Sequence, residues 1–342
     1  MKKHVNIPIF IPHLGCPNQC VFCNQRKITG IDSFSPDSVK MQIENALATV
    51  SPETDAEIAF FGGSFTGIDR ELMCRLLEIA HSFVEKGRVS SIRCSTRPDY
   101  ISEEILDILA QYKVSVIELG LQSADDNVLF KTKRGHDFEC EIKACKMIVE
   151  RGFSLVGQMM IGLPGSTPEN EEKTAKFIIS SGASAARIYP TVVFRDTELC
   201  EMANSGGYTP ITEEEAILRS ARVLGLFRDS GVKVIRIGLC ASENLSDAQS
   251  YHSGPNHPAL GELVENEYYF NKIVEAIDKL MVKKGDCLNI AVSSGALSKA
   301  IGQKKRNKLR LISHFDLSDV RFLEKSDVDE FTVEVTVGER KY

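Results

Sequence analysis

Three of the ten cysteines crowd into eight residues, in the string Cys16-Pro-Asn-Gln-Cys20-Val-Phe-Cys23. Thiolates are soft ligands suited to zinc or to iron–sulfur clusters. A structural zinc site takes four protein ligands, and this string supplies three. Three thiolates on a four-iron cluster leave one iron open to a small molecule, which makes such a cluster catalytic. Two other readings stand beside this one. Zinc with His13 as a fourth ligand is one, and cysteines packed as small hydrophobes without metal is the other. Cys74, Cys94, Cys140, Cys145, Cys200, Cys240 and Cys287 show no CxxC spacing, so no auxiliary cluster is assigned.

Further polar groups sit where apolar runs end. Phe61-Gly62-Gly63-Ser64-Phe65-Thr66-Gly67 is either a tight turn or a place where a ligand meets the backbone closely. Ser95-Thr96-Arg97-Pro98-Asp99 follows the next run, with a plain Pro-turn cap as the competing explanation for Arg97 and Asp99. Strand alternation puts Glu118, Gly120 and Gln122 on one face. Buried polar groups there need partners or a ligand. Gln158 lies in a Gly-bounded string, and Arg187 sits inside an apolar run, where it pairs with a cofactor carboxylate or with Glu118. A basic run from Gln303 to Arg310 is a solvated face or a phosphate-contacting patch. His252 and His257 fall in a polar stretch and carry no metal assignment.

These residues need elements to place them. Apolar runs predict strands at Val5–Ile11, Glu57–Phe61, Val89–Cys94, Val114–Leu121, Ser154–Ile161 and Ala185–Phe194. Helical spacing falls between them, at Pro36–Val50, Arg70–Val84, Ser102–Tyr112, Phe138–Arg151, Pro168–Ser181 and Glu213–Ser230. Ser35, Thr167 and Thr212 read as N-caps. Six strand–helix repeats demand a parallel sheet with helices outside it, either open or a partial barrel. Ligands gather at the carboxyl ends of such strands. Val232–Leu239 is a candidate seventh strand. A polar loop Ser242–Pro258, a helix Ala259–Lys284 and strands Leu288–Val292 and Phe331–Val337 follow. The expected division is a barrel over 1–240 and an α+β extension over 241–342, packed on it.

With 342 residues and 43% hydrophobic content, the chain can bury a sizeable core. The net charge of −6 argues against a globally basic nucleic-acid binder. No stretch has the apolar length of a membrane span. The N-terminal apolar run is broken by Pro8, Pro12 and His13 and reads as a buried strand rather than a signal peptide, so a cytoplasmic location is expected.

The CxxxCxxC spacing, with Phe22 before the last cysteine and a first strand before the first, resembles the radical S-adenosylmethionine (SAM) superfamily. That resemblance implies a partial (β/α)6 barrel of TIM-like type. It implies a [4Fe–4S] cluster on Cys16, Cys20 and Cys23, whose open iron chelates SAM. The enzyme would reductively cleave SAM to a 5′-deoxyadenosyl radical, accept its electron from a donor such as flavodoxin or ferredoxin, and be oxygen-sensitive. Phe22, Gly62, Gly63, Ser64, Thr96, Glu118, Gln122, Gln158 and Arg187 are carried over as SAM contacts. The strings GGSFTG, STRPDY, ELGLQSADDNVLFKTKRGH, MMIGLPGSTPE and RIYPTVVFRDTEL narrow the resemblance to the radical SAM domain of the Elongator catalytic subunit, which modifies wobble uridine in tRNA. It runs from about Ile7 to Leu199. That family adds a basic segment before the first strand and an acetyltransferase domain after the barrel, and neither is expected here. A weaker resemblance to oxygen-independent coproporphyrinogen oxidases makes a small molecule such as a porphyrin the alternative substrate. A non-enzymatic metal protein is the third reading.

Overall fold

The computed structural model describes residues 4–11, 14–16, 20–24, 34–239 and 250–338. His13, Cys240 and residues 242–249 of the expected polar loop lie outside them. Strands β1 (His4–Phe10), β2 (Asp55–Phe61), β3 (Ser91–Thr96), β4 (Val114–Gln122), β5 (Ser154–Ile161) and β6 (Ala185–Pro190) follow the apolar runs closely. The run expected to continue to Phe194 breaks after Pro190. Thr191 N donates to Ile161 O at 2.9 Å as the last rung to β5, and beyond it β7 (Val193–Phe194) leaves the sheet. The candidate seventh strand is present as β8 (Lys233–Ile237). These strands, β7 excepted, form one sheet in the order β1-β2-β3-β4-β5-β6-β8, with every neighbouring pair parallel. The sheet curls into a half-barrel with helices outside.

The outer helices exist because their apolar residues recur on one face. In α1 (Val39–Thr49) the buried set is Val39, Ile43 and Leu47. In α2 (Arg70–Glu85) it is Met73, Leu76, Leu77, Ala80 and Phe83. Burying each such large side chain contributes about 1.5–3 kcal/mol. The helices α3 (Glu103–Gln111), α4 (Asp126–Lys131), α5 (Phe138–Glu150), α6 (Pro168–Ser180), α7 (Glu198–Asn204) and α8 (Glu213–Asp229) complete the outer layer. Thr167 and Thr212 cap α6 and α8, accepting from Asn170 N and Glu215 N. Ser35 does not cap. Pro36–Ser38 forms a separate 3-10 turn, and α1 begins at Val39.

Beyond β8 the chain forms β9 (Tyr251–Ser253), which pairs antiparallel with β7 inside the stretch expected to be loop. Helix α9 (Leu260–Ile277) is shorter than its apolar pattern suggested, because Leu280 and Met281 beyond it face solvent. A second sheet joins β10 (Cys287–Val292) to parallel β11 (Asp319–Glu324) and antiparallel β12 (Val333–Gly338). Short helices α10 (Leu297–Ile301) and α11 (Arg306–His314) precede β11. One apolar core runs without interruption from Ile7 of β1 to Val320 of β11.

Candidate active site

The cysteine string leaves β1 at the carboxyl end of the sheet and is pinned from several sides. Val21 N donates to Thr132 O at 3.2 Å, and Leu199 N donates to Val21 O at 2.8 Å. Val21 is buried with Val193, Leu199 and Tyr208, and Phe22 packs against them. Cys23 N donates to Cys20 O at 2.9 Å, so the last two cysteines share one turn. The loop also crosses the chain after β2, backbone against backbone. A Cβ on Gly15 (φ +75°) would sit 2.2 Å from Ser64 O, and one on Gly63 would sit 2.6 Å from Leu14 O. The glycines of the GGSFTG string are therefore required by the cysteine loop itself.

Above the sheet lies a cavity of about 470 Å³. Cys16, Cys20 and Cys23 line it, with Phe22, Gly62, Gly63, Thr96, Glu118, Gln122, Gln158 and Arg187. Ser64, the remaining expected contact, stands behind the wall. Its hydroxyl lies 2.9 Å from Thr96 Oγ1 and accepts from Arg97 N at 3.2 Å, so it braces Thr96. Gln122 ends β4 with φ +73°, beside an irregularity in the β4–β5 register. Backbone strain of this kind persists where surrounding structure enforces it, often at sites of function. Its Oε1 is buried and has no hydrogen-bond partner.

The barrel interior carries a ladder of charge. On successive strands, Glu57 pairs with Arg93, and Arg93 Nη1 donates to Glu118 Oε1 at 2.8 Å. Arg187 then donates to both Glu118 oxygens, Nε at 2.7 Å and Nη2 at 2.9 Å. Of the two partners foreseen for Arg187, the structure provides Glu118. Burial opposes the Arg187 charge, but Tyr189 and Glu118 outweigh it and hold the guanidinium protonated above its usual range.

Residues that were not carried over as SAM contacts complete the wall. Arg134 and Arg97, both 4% exposed, approach the Cys20 thiol. Arg134 Nη1 lies 3.3 Å from Cys20 Sγ, and Arg97 Nη1 lies 3.8 Å from it. Asp99 holds Arg97 through two 2.9 Å bonds. Burial pushes the Asp99 carboxyl up, yet hydrogen bonds from His136 and Arg97 prevail and hold it well below the usual carboxylate range. His136 Nε2 in turn faces Glu141 Oε1 at 3.2 Å. Burial raises Glu141 to about 7, against a partly offsetting bond from His136. Arg236 of β8 also lines the cavity, as the register partner of Arg187. Arg97 had a Pro-turn cap as its competing explanation, and Arg134 lies in the ELGLQSADDNVLFKTKRGH string without a role of its own assigned.

These residues fit a cluster and SAM. Among the described residues, no three His, Cys, Asp or Glu side chains converge to take a single metal ion, whereas all three thiols face one cavity. Two guanidiniums beside a thiol suit a negatively charged group, and the orphaned Gln122 oxygen awaits a donor. His252 is instead bonded to Asn204 at 3.0 Å, and His257 accepts from Ala259 N at 3.0 Å.

Comparison with known proteins agrees with this geometry. Residues 10–178 match the radical SAM superfamily, and residues 183–269 match the radical SAM C-terminal domain. An uncharacterized protein of Methanocaldococcus jannaschii is 32% identical over 228 residues, covering 63% of this chain and 70% of that one. The tRNA uridine(34) acetyltransferase of Methanocaldococcus infernus is 31% identical over 198 residues, 52% of this chain. The match spans 37% of that relative's length. The solved structure of Methanocaldococcus infernus Elp3, lacking its N-terminal residues 1–46, superposes with a TM-score of 0.62 at 25% identity. It covers 80% of this chain and 64% of that one. The thiol-lined cavity at the carboxyl end of a parallel half-barrel therefore has a family: this chain belongs to the radical SAM superfamily, is Elp3-like within it, and is an enzyme that uses a [4Fe–4S] cluster and SAM.

Proposed function

We propose that this enzyme modifies RNA, with a tRNA base as substrate. One observation carries the proposal. The three thiols share a single cavity with polar side chains left for other groups, in a fold that resembles Elp3. The names of the similar tRNA uridine(34) acetyltransferases supply the substrate class. Cys16, Cys20 and Cys23 would hold the cluster, and Phe22, Gly62, Gly63, Thr96, Gln122 and Gln158 would hold SAM beside it. Glu118 and Arg187 act as a pair, each fixing the other. When bound, the cluster and SAM supply one-electron cleavage of the sulfonium, which starts hydrogen abstraction. The apolar side chains of Phe10, Phe61, Val192 and Phe194 exclude water from the cavity wall. The electron comes from a low-potential protein such as flavodoxin or ferredoxin.

Two cations of the basic run in the tail are committed locally. Arg310 is bound to Glu267 and lies 3.6 Å from the Phe270 ring, and Lys308 pairs with Asp319 at 2.8 Å. Lys304, Lys305 and Arg306 of the same run are exposed.

The test is 5′-deoxyadenosine release by anaerobically reconstituted protein with dithionite and SAM, in the presence of bulk tRNA or of coproporphyrinogen. A Cys16/Cys20/Cys23 triple-Ala variant serves as control. Stimulation by tRNA, with a modified nucleoside in the digest, supports the proposal. Turnover with the porphyrin alone replaces it with the small-molecule alternative.

A further inference from the structure

Arg134 is a buried cation without a carboxylate. Its side chain is bonded to Cys20 Sγ and to the Gly120 carbonyl, and its Nε has no partner. No ion pair to it exists among the described residues. Burying an uncompensated guanidinium costs several kcal/mol, on the order of the penalty for breaking a buried ion pair. A charge placed there needs a negative partner, and among the described residues the side chain within hydrogen-bond distance that can carry negative charge is Cys20, its sulfur at 3.3 Å. Arg97 approaches the same sulfur from the other side and is only partly neutralised, because Asp99 faces its Nε and Nη2 while its Nη1 faces the sulfur. Its Nη2 also bonds the Arg134 carbonyl, which fixes the two arginines to each other.

We propose that Arg97 and Arg134 form a cationic bracket on Cys20 that sets how readily the cluster accepts its electron, with Asp99 as a counterweight. The proposal rests on the assignment of Cys20 as a cluster ligand. Reduction adds one electron from a low-potential donor, breaks no bond and moves no proton. The cluster gains one negative charge. Positive charge and N–H donors beside a ligand sulfur stabilise the more negative state, so they raise the potential. Both arginines are largely buried, so screening by salt is weak. Both arginines are positioning residues, because they act through the ligand sulfur.

The sign of the effect separates this role from a purely structural one. Midpoint potentials are measured by electron paramagnetic resonance during dithionite titration of reconstituted full-length protein, with iron content determined in parallel. Arg134→Gln is expected to shift the potential to more negative values, and Arg134→Lys to stay nearer the wild type. Asp99→Asn is expected to shift it the opposite way, to less negative values. Unchanged potentials in Arg134→Gln and Asp99→Asn, with iron content at the wild-type level, overturn the bracket while leaving the cluster assignment standing. If Arg134→Gln takes up no iron, Arg134→Lys and Asp99→Asn decide: coincidence of both with the wild type overturns the proposal, and a positive shift in Asp99→Asn sustains it. A wild-type protein that takes up no iron overturns both this proposal and the assignment beneath it.

Discussion

Gly15 holds a left-handed conformation in a space with no room for a methyl group. Gly15→Ala combines that conformational cost with a clash against the Ser64 carbonyl. We expect it to destabilise the apoprotein by about 2–4 kcal/mol in urea unfolding, and to lower iron uptake because the cysteine loop is displaced. Glu118 sits buried between Arg93 and Arg187. Glu118→Gln leaves two buried guanidiniums short of a counter-charge, so a loss of about 3–5 kcal/mol is expected by the same measurement. Glu141 makes a prediction in pH. Its carboxyl is raised by burial to about 7, from an ordinary 4.5. A raised carboxyl binds its proton more tightly in the folded state than in the unfolded one. The folded state is therefore favoured at low pH, and that advantage is lost as pH rises from about 4 through about 7. Glu141→Gln should remove this slope and gain on the order of 3 kcal/mol over the wild type at pH 8, read from unfolding at pH 5 and pH 8. Identical slopes in the two proteins would refute the assignment. Asp99 works the other way. Its depressed carboxyl adds stability above the ordinary carboxylate range that is lost on acidification.

At the scale of elements, α8 and α9 are joined by Arg228. Its Nη2 reaches both oxygens of Glu265 at 2.7 Å, and its guanidinium lies between the rings of Phe331 at 3.9 Å and Tyr268 at 4.4 Å. We propose that residues 1–240 and 241–342 form two units that share one apolar core, with Arg228 fastening the seam between them. Arg228→Ala should cost about 2–3 kcal/mol and split thermal unfolding, with tail probes melting before barrel probes. Coincident melting of both would make them one unit. Much of this architecture was legible beforehand. Strands with both faces largely buried read as near-continuous apolar runs, which is why β2, β4 and β5 were foreseen, and β1, β3, β6 and β8 carry shorter apolar runs of their own. β11 was missed because Arg321, Leu323 and Glu324 are exposed and leave no alternation to read. β7 and β9 are too short to carry a pattern. In the site, the cysteine spacing and the strand-end glycines were visible as local strings. The Arg134–Cys20 contact joins residues 114 positions apart, and no local pattern encodes such a pairing.

For the whole molecule, the proposed tRNA substrate would bring an acidic polymer to an acidic protein of net charge −6. Binding of tRNA should therefore rest on a few local cations and weaken between about 50 and 200 mM salt with a shallow slope that counts them, as a filter-binding titration would show. The charge ladder from Glu57 to Arg187 behaves differently. Its charges alternate in sign from Glu57 through Arg93 and Glu118 to Arg187 and are largely buried, so this part of the floor carries little net charge but a steep local field. Such a floor attracts nothing from a distance. It turns whatever dipole arrives above it, and added salt leaves that torque largely intact. Capture of a substrate and its final orientation would then answer to different solution conditions, the first to ionic strength and the second hardly at all.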